Sequence, residues 1–351
     1  MSLQATESPT RLYAPRRLAA AAALACGALL AACGGGGDAP GTGSSATPLS
    51  QSDATADAAN ASSTGSDTAA ALDTLVDTTA TLAPVLATAA AAPARAQVES
   101  ARPEASSAAP PISGTVACPG GGTATMTVSG GTLDMLRNGQ LDAGESYQVT
   151  YAQCSGGAGL AQLTGSVEMD VTAADRTTSP ASLSVDVTAT HLALSLPAGS
   201  ATLDGTATLS RGVSSTNGTT TTTSHVTVPS ATLATTFNAR SGSFTLADLD
   251  ATRTVTSVAG VATASQYAGH HTLSGTAWGR TFAMSVATSG NVNFDANGAL
   301  VSGAWTVVRP KATVATTLAN GLVVLTVDDG NDGTINHTWT FPAAQLAASA
   351  G

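Results

Sequence analysis

An acidic stretch, DMLRNGQLDAGE, has the spacing of a calcium-binding loop over residues 134–145. Calcium takes oxygen ligands, which a loop of this type supplies at fixed positions, among them one, three, five, nine and twelve. Asp134, Asn138, Asp142 and Glu145 occupy positions one, five, nine and twelve. Position three is Leu136, which has no side-chain oxygen. The stretch is therefore an incomplete calcium loop, and the alternative is a turn between two strands.

A second acidic stretch, VDDGNDGTIN, supplies Asp328, Asp332 and Asn336 at one-five-nine spacing. It is also incomplete, because Gly330 stands at position three and Trp339 at position twelve. Asp and Asn side chains commonly accept hydrogen bonds from nearby backbone amides and so cap turns. Both a weak calcium site and a capped turn are open here, and calcium is the only cofactor that the sequence suggests.

The adjacent histidines His270 and His271 are the obvious candidates for a transition-metal site. Adjacent side chains of a strand point to opposite faces, so the two cannot bind one ion together. His271 shares its face with Tyr267 and Leu273. This pattern favours partly buried structural histidines over metal ligands.

The sequence lacks the short motifs of common catalytic sites. It has no Gly-x-Ser-x-Gly elbow, no His-Glu-x-x-His pair, no phosphate loop and no dinucleotide-binding fingerprint. A catalytic triad assembles from distant residues, so spacing alone does not reveal one. We predict a protein that is not an enzyme, and a hydrolase with no recognisable motif is an alternative.

Two cysteines, Cys118 and Cys154, follow the N-terminal region. In an oxidising compartment such a pair usually forms a disulfide bond. Closing a loop of this size stabilises a fold by about 3 to 4 kcal/mol in the chain-entropy account. The sequence therefore predicts a Cys118–Cys154 disulfide in an exported protein.

The N-terminus has the order of a secretory signal. Three arginines precede an uncharged apolar run over residues 18–30, which is too short to span a bilayer. The run ends in Leu30, Ala31 and Ala32 directly before Cys33. The other cysteine of this region, Cys26, is a poorer candidate for the processing site, because cleavage before it would leave a shorter apolar run.

This Leu-Ala-Ala-Cys ending resembles the lipobox of bacterial lipoproteins. The resemblance implies that residues 1–32 are a signal peptide and that Cys33 is acylated, with palmitate among its chains, to anchor the protein in a membrane. It also implies the lipoprotein processing and sorting machinery of a Gram-negative bacterium as partners. By the family's sorting habit, Gly34 after the cysteine favours the outer membrane. The side of that membrane that the protein faces stays open.

The charge balance argues against nucleic acid as a partner. The chain has 13 Lys and Arg residues against 23 Asp and Glu residues, a net charge of -10. Binding to a phosphate backbone requires a basic surface, which this composition does not provide.

The residues that follow the lipobox read as a tether. Residues 34–66 contain almost no large apolar side chain, and residues 93–111 are rich in proline. Between them Leu72, Leu75 and Val76 form a helical stripe. We predict a lipidated disordered linker over residues 33–111, with a short helix at 67–83.

From residue 112 the sequence changes to alternating apolar and polar residues. This two-residue period is typical of half-buried strands. Asn-Gly and Asp-Gly pairs recur between these runs and are typical of tight hairpin turns. In ASLSVDVTATHLALSLP the apolar phase changes near Thr190 and His191, which predicts a β-bulge. Recurring Leu-x-Gly triplets favour a curved sheet.

These patterns predict an all-β domain over residues 112–346. We expect a large curved antiparallel meander, either a half-barrel or an open barrel, and a two-sheet sandwich is the alternative. The lipobox resemblance implies a lipid-anchored cell-envelope protein, and the concave face of such a sheet suggests that it binds an apolar or extended ligand. The long tether, the acidic charge and the Thr-rich strands suggest the alternative, a surface adhesion or scaffold protein.

Overall fold

In a computed structural model the protein forms one large antiparallel sheet with fifteen strands. The structure describes residues 48–61, 111–131, 141–155, 162–196, 199–237, 240–277 and 280–348. The all-β meander is thereby confirmed, and the alternative of a two-sheet sandwich is wrong. The strands are β1 (Ile112–Ala117), β2 (Thr123–Gly130), β3 (Glu145–Ser155), β4 (Gln162–Asp175), β5 (Ala181–Leu196), β6 (Gly199–Thr216), β7 (Thr219–Phe237), β8 (Arg240–Val258), β9 (Val261–Ala277), β10 (Arg280–Thr288), β11 (Val292–Asp295), β12 (Leu300–Arg309), β13 (Ala312–Ala319), β14 (Leu322–Asp329) and β15 (His337–Pro342).

Nearly every strand pairs with its neighbours in sequence. The order runs from β1 to β10 and then from β12 to β15, while the short β11 pairs with both β9 and β12. The strands β1 and β15 form the two edges, so the sheet is not closed into a regular barrel.

One face of the sheet holds the core, and we call it the inner face. In β13, for example, Ala312, Val314, Thr316 and Leu318 are buried and alternate with more exposed residues. Buried side chains from β2 to β14 belong to one continuous cluster. A sheet this wide gathers such distant strands into one core only by curving strongly, because the alternation places every apolar side chain on the same face.

The predicted bulge is confirmed. The pairing of β5 with β6 shifts between Ala189 and Leu192, and His191 adopts a φ of 47°. Gly165 lies opposite this bulge with a φ of 111°, and a Cβ atom there would clash with the carbonyl oxygen of His191. Glycine is therefore required where the two strands approach most closely.

The hairpin prediction is confirmed at two Asn-Gly turns. Asn217 and Gly218 have φ values of 52° and 77°, and Asn320 and Gly321 have values of 53° and 74°. Two successive positive φ angles define the turn that matches the twist of a hairpin. The pair at residues 138 and 139 lies outside the described residues.

A helix over residues 51–61, α1, packs on the inner face. It lies within the segment for which the sequence predicts a linker, and this part of the prediction differs from the structure. Ser50 caps the helix by accepting a hydrogen bond from the amide of Asp53 at 3.2 Å. The buried apolar residues of α1 are all alanines, whose small side chains allow close contact with the sheet. The helix predicted at 67–83 lies outside the described residues.

A second short helix, α2 (Ala343–Ala348), follows the last strand and buries Leu346. Neither α1 nor α2 has the length and apolar character needed to cross a bilayer, and the same holds for the whole described part of the chain.

Candidate functional site

The inner face carries a continuous apolar surface, which we call the floor. It runs from β5 to β14 and consists of side chains that solvent barely reaches: Val185, Leu209, Val226, Leu233, Leu273, Val307, Val314, Val323, Leu325 and Val327. Such a surface favours apolar ligands, because burying each methylene group contributes about 0.8 kcal/mol.

The helix α1 covers the floor at β12–β14 through three polar contacts. The indole Nε1 of Trp305 donates to the carbonyl oxygen of Ala58 at 2.9 Å. Arg309 Nη2 donates to Asp57 Oδ1 at 2.7 Å. Just before the helix, the amide of Leu49 donates to Asp329 Oδ1 at 3.1 Å. These contacts attach α1, which we call the cover, to the sheet just before its first turn and at its centre.

Asp57 is an unusual group for such a contact, since its side chain is only 4% exposed. Burial raises the pKa of this carboxyl from 3.8 to about 6, the Arg309 guanidinium opposes the rise, and Asp53 adds to it. Among the described residues Asp57 Oδ2 has no hydrogen-bond partner. Burying a carboxylate costs more than one hydrogen-bonded partner returns, so this contact is sensitive to charge.

Farther along the inner face lies a polar row that crosses four neighbouring strands. Arg211 of β6 stands opposite Ser224 of β7, Ser224 opposite Arg253 of β8, and Arg253 opposite Tyr267 of β9. We call these four residues the arginine row. Since neighbouring strands lie about 4.8 Å apart, the two arginine Cα atoms are separated by about 10 Å.

The arginine row marks a boundary in exposure. On one side, Leu209, Val226 and Ala251 are at most 1% exposed. On the other side, toward the Asn217-Gly218 turn, the inner-face residues Val213 and Thr222 are only half-buried. Both arginines are themselves half-buried. The row therefore lies where the apolar floor meets solvent.

Charge is segregated between the two faces of these strands. The acidic residues at regular positions of β4–β8 alternate onto the outer face: Glu168, Asp170, Asp175, Asp186, Asp204 and Asp250. The arginine row puts positive charge on the inner face of a chain whose net charge is -10. An anion that reaches this row therefore meets the two guanidiniums ahead of any of these carboxylates.

Two buried polar groups of β9 lie on the same face. Tyr267 and His271 are each 2% exposed, and neither the Tyr267 hydroxyl nor the His271 Nδ1 atom has a hydrogen-bond partner in the described residues. Burial, with a smaller contribution from His270, lowers the pKa of His271 to about 4, so the ring is neutral at neutral pH. The prediction that His271 shares the face of Tyr267 and Leu273 is confirmed.

The first calcium candidate is only partly described, since Asp134 and Asn138 lie outside the described residues. Glu145 is 1% exposed, and its Oε2 atom accepts hydrogen bonds from the Tyr147 hydroxyl at 2.6 Å and from the Asp142 amide at 2.8 Å. This carboxylate closes a turn before β3. Its ligand role stays a prediction.

In the second calcium candidate the side-chain oxygens are bonded to the backbone. Asp328 accepts from the Asp332 amide at 3.2 Å and from the Gly333 amide at 2.8 Å, and Asn336 accepts from the Asp329 amide at 2.6 Å. Asp332 accepts from the Thr334 amide, and this bond is the main reason that its pKa is lowered. Within the described ranges no three His, Cys, Asp or Glu side chains are grouped as a metal site would require.

For the hydrolase alternative, one arrangement of Ser, His and Asp in the described part of the chain lies on the outer face. His225 Nε2 is 3.0 Å from Asp250 Oδ1, and Ser210 is the residue opposite His225 on β6. The Ser210 hydroxyl, however, pairs with the Ser184 hydroxyl at 3.1 Å. A triad needs the serine bonded to the histidine, so this set does not support a nucleophile.

The predicted disulfide is confirmed. Cys118 and Cys154 are bonded, with their Cα atoms 5.4 Å apart, and the bond fastens the β1–β2 connection to the end of β3. The predicted lipidation site, Cys33, lies outside the described residues.

Sequence reasoning missed α1 and the arginine row, although both left signals. Ser50 and Asp53 have the spacing of an N-terminal capping pair. Arg211 has the parity of Leu209 and Val213, which alternation assigns to the inner face. Comparison of the chain with protein-family models, with curated proteins and with solved structures gives no match.

Proposed function

We propose that this chain is a lipid-anchored protein of the bacterial cell envelope that binds an apolar or extended ligand on the inner face of its sheet. Membrane attachment through Cys33 rests on the lipobox resemblance, and the Cys118–Cys154 disulfide agrees with an oxidising compartment.

The binding proposal is supported by the way in which the helix α1 covers one end of the apolar floor. The apolar floor is closed at β12–β14 by α1, a segment outside the strand order of the sheet. Its four buried alanines, Ala54, Ala58, Ala59 and Ala61, each bury one methyl group. An acyl chain of four or more methylenes gains about 3 kcal/mol or more on the same surface, which is comparable to what these methyl groups contribute. Such a ligand competes with α1 for the floor.

Binding is tested with the Cys33→Ala protein, which lacks the anchor and keeps every described residue. Organic extraction followed by mass spectrometry identifies any lipid that co-purifies, and the fluorescence of N-phenyl-1-naphthylamine reports an open apolar surface. Ala58→Glu introduces a charge at a position that is 0% exposed, so we expect α1 to leave the floor and probe binding to rise.

The matched control is Ser52→Glu, which places the same charge on the exposed side of α1 and should leave probe binding unchanged. If the Ala58→Glu protein stays folded but binds neither probe nor lipid, the binding proposal is wrong.

Membrane attachment has its own test. Cys33→Ala should abolish acylation and release the protein into the soluble fraction of cells grown with a labelled fatty acid. Cys26→Ala is the control, because it removes a cysteine of the same region and should leave acylation intact. Equal labelling of both variants would contradict the lipobox assignment.

The outer face supports a second candidate, a surface adhesion or scaffold protein. Hydroxyl pairs join neighbouring strands there, as between Thr115 and Thr125 at 2.9 Å and between Ser184 and Ser210 at 3.1 Å. They make a broad polar surface. Protease treatment of intact cells discriminates the candidates: an adhesin is cleaved, whereas a periplasmic binding protein is protected.

A further inference from the structure

We infer that the cover α1 sets how far the sheet lies from the membrane. Docked, α1 holds the sheet on a short stretch of chain that starts at Cys33, and released, it leaves the sheet on a stretch several times longer. This inference rests on the proposed membrane attachment and adds a controlled reach to it.

The order of the segments along the chain provides two routes from the anchor to the sheet. The predicted acylated residue, Cys33, precedes α1 at residues 51–61, and α1 precedes β1, which begins at Ile112. While α1 is docked, the chain from the membrane meets the sheet at Leu49, whose amide donates to Asp329 Oδ1 at 3.1 Å. Once α1 is released, the chain from the membrane meets the sheet only at the start of β1.

The two routes differ in length by a factor of about five, because an extended chain spans at most about 3.5 Å per residue. The sixteen residues from Cys33 to Leu49 reach at most about 55 Å, whereas the 79 residues from Cys33 to Ile112 reach at most about 275 Å. A strand of 19 residues, such as β7, is about 63 Å long. Docked α1 therefore keeps the sheet within about one strand length of the membrane.

The contacts of α1 are placed so that they can hold the sheet on the short route. Trp305 and Arg309 bind the carbonyl oxygen of Ala58 and the carboxylate of Asp57 at 2.9 Å and 2.7 Å. With the Leu49 amide they join the helix to β12 and β14, at the far end of the chain from β1. A pull from the anchor thus acts on β12 and β14 and leaves β1 outside the connection.

The same contact surface permits release. The four buried apolar residues of α1 are alanines, each of which brings a single methyl group to the sheet. Asp57 is buried with no hydrogen-bond partner for Oδ2 among the described residues, and burial of a carboxylate opposes docking. The strands pair with one another without α1, so the sheet keeps its order when the helix leaves. A free helix of 11 residues is marginal in water, and released α1 therefore becomes part of the tether.

The arrangement couples ligand binding to reach. A ligand that takes the place of α1 on the floor, as proposed above, moves the sheet from the short route to the long one. Coupling between two equilibria is reciprocal, so confinement of the sheet close to the membrane favours docked α1 and weakens the binding of such a ligand.

The test measures energy transfer in the acylated protein as isolated from cells and reconstituted in lipid vesicles. The donor dye is attached to Lys311, which is the only lysine of the chain and is exposed at the turn between β12 and β13, and the acceptor dye is attached to lipid head groups. A Gly/Ser spacer of about 40 residues, with a root-mean-square span of about 35 Å, is inserted before α1 after residue 43 or behind it after residue 106.

The two spacers should act differently while α1 is docked. The spacer before α1 lengthens the route that is in use, so transfer should fall about twofold or more, whereas the spacer behind α1 should change nothing. In Ala58→Glu the buried charge releases α1, and the spacer behind α1 should then lower transfer about twofold as well. Ser52→Glu, with its charge on the exposed side, should behave like the original protein.

Hydrogen–deuterium exchange protection of β13 checks that the Ala58→Glu sheet is folded, and Arg309→Met takes its place if it is not. If both spacers lower transfer equally in the original protein, the sheet is attached only through β1 and the inference is overturned, while the acyl anchor stands. Loss of transfer on dilution of the protein in the membrane would mean that α1 docks on a neighbouring copy, which also overturns it. If the protein carries no acyl chain and leaves the vesicles, the proposed attachment itself has failed.

Discussion

Arginines lie on the inner face in two different settings. Arg309 of β12 contacts a carboxylate that the chain itself provides, Asp57 of α1, at 2.7 Å under the helix. Arg211 and Arg253 stand at the margin of the floor, opposite a serine and a tyrosine. The difference indicates a division of labour: Arg309 holds the cover in place, whereas the arginine row, which has polar or electrostatic contacts of its own, lies at the margin of the floor away from this contact.

The largest expected effect comes from removing the arginine that holds the cover. Arg309→Met leaves the Asp57 carboxylate buried without its cation, which costs about 3 to 5 kcal/mol. We expect α1 to undock, seen as loss of hydrogen–deuterium exchange protection over residues 51–61 and a red shift of Trp305 fluorescence. The same substitution at Arg253 should leave that protection nearly intact, and an equal loss in both variants would erase the proposed division.

Docking of α1 should also depend on pH. The pKa of Asp57 is about 6 in the docked helix against 3.8 without burial, so the docked state binds this proton more tightly. The stabilisation is fully present below pH 3.8 and is lost as the pH rises through 6. It amounts to roughly 3 kcal/mol. Exchange protection of α1 should therefore be higher at pH 4 than at pH 7.

Other groups near the helix also titrate. Arg309 and Asp53 act on Asp57 directly, and Asp329, which binds the amide of Leu49, lies 3.2 Å from His337. Asp57→Asn isolates the first carboxyl, because the amide has its shape and no proton equilibrium. A pH dependence that persists in this variant would assign the effect to the other groups.

Docking of α1 should not require the buried ion pair of Asp57 and Arg309 as such. Replacing both members, as Asp57→Leu with Arg309→Met, removes the charges and their desolvation together. Docking should then return to within about 1 kcal/mol of the original protein. Exchange protection of residues 51–61 again measures it, and a double variant as poorly protected as Arg309→Met alone would show that the ion pair itself is required.

The smallest effect is expected on the outer face, where His225 and Asp250 also lie 3.0 Å apart. Their side chains are 47% and 54% exposed, so water already solvates both groups. Asp250→Asn should change the free energy of unfolding by less than about 1 kcal/mol in a urea titration. A larger change would mean that exposure does not explain the contrast with Arg309 and Asp57.

Alternation and turn chemistry predicted most of the sheet from the sequence. The apolar phase change at His191 marked a real bulge, and the Asn217-Gly218 and Asn320-Gly321 pairs marked real hairpins. These features depend on neighbours along the chain, which a sequence displays directly. The turn at Ala259 and Gly260 also has two positive φ angles, 50° and 80°. It has no asparagine, so the Asn-Gly pattern did not predict it.

The candidate site was harder to predict because it joins distant residues. The contact of Asp57 with Arg309 spans 252 residues, and no local pattern connects them. The alanine-rich sequence of α1 resembles a linker in composition. An alanine can be assigned to the core only when the surface that its methyl group packs against is known. The arginine row could be assigned to a face by parity, but its alignment across β6–β9 depends on strand registers that bulges shift.

The neighbour-to-neighbour strand order has a consequence for how the molecule forms. Each strand after β1 can add to a hairpin that already exists, so the sheet can grow in the direction of synthesis with short loop closures. The helix α1 is synthesised before any strand, yet β12–β14, on which it packs, are synthesised near the end of the sheet. Its docking bond to Trp305 closes a separation of 247 residues. A docked α1 therefore indicates that the sheet has been assembled as far as β14, because only then can the helix cover this end of the apolar floor.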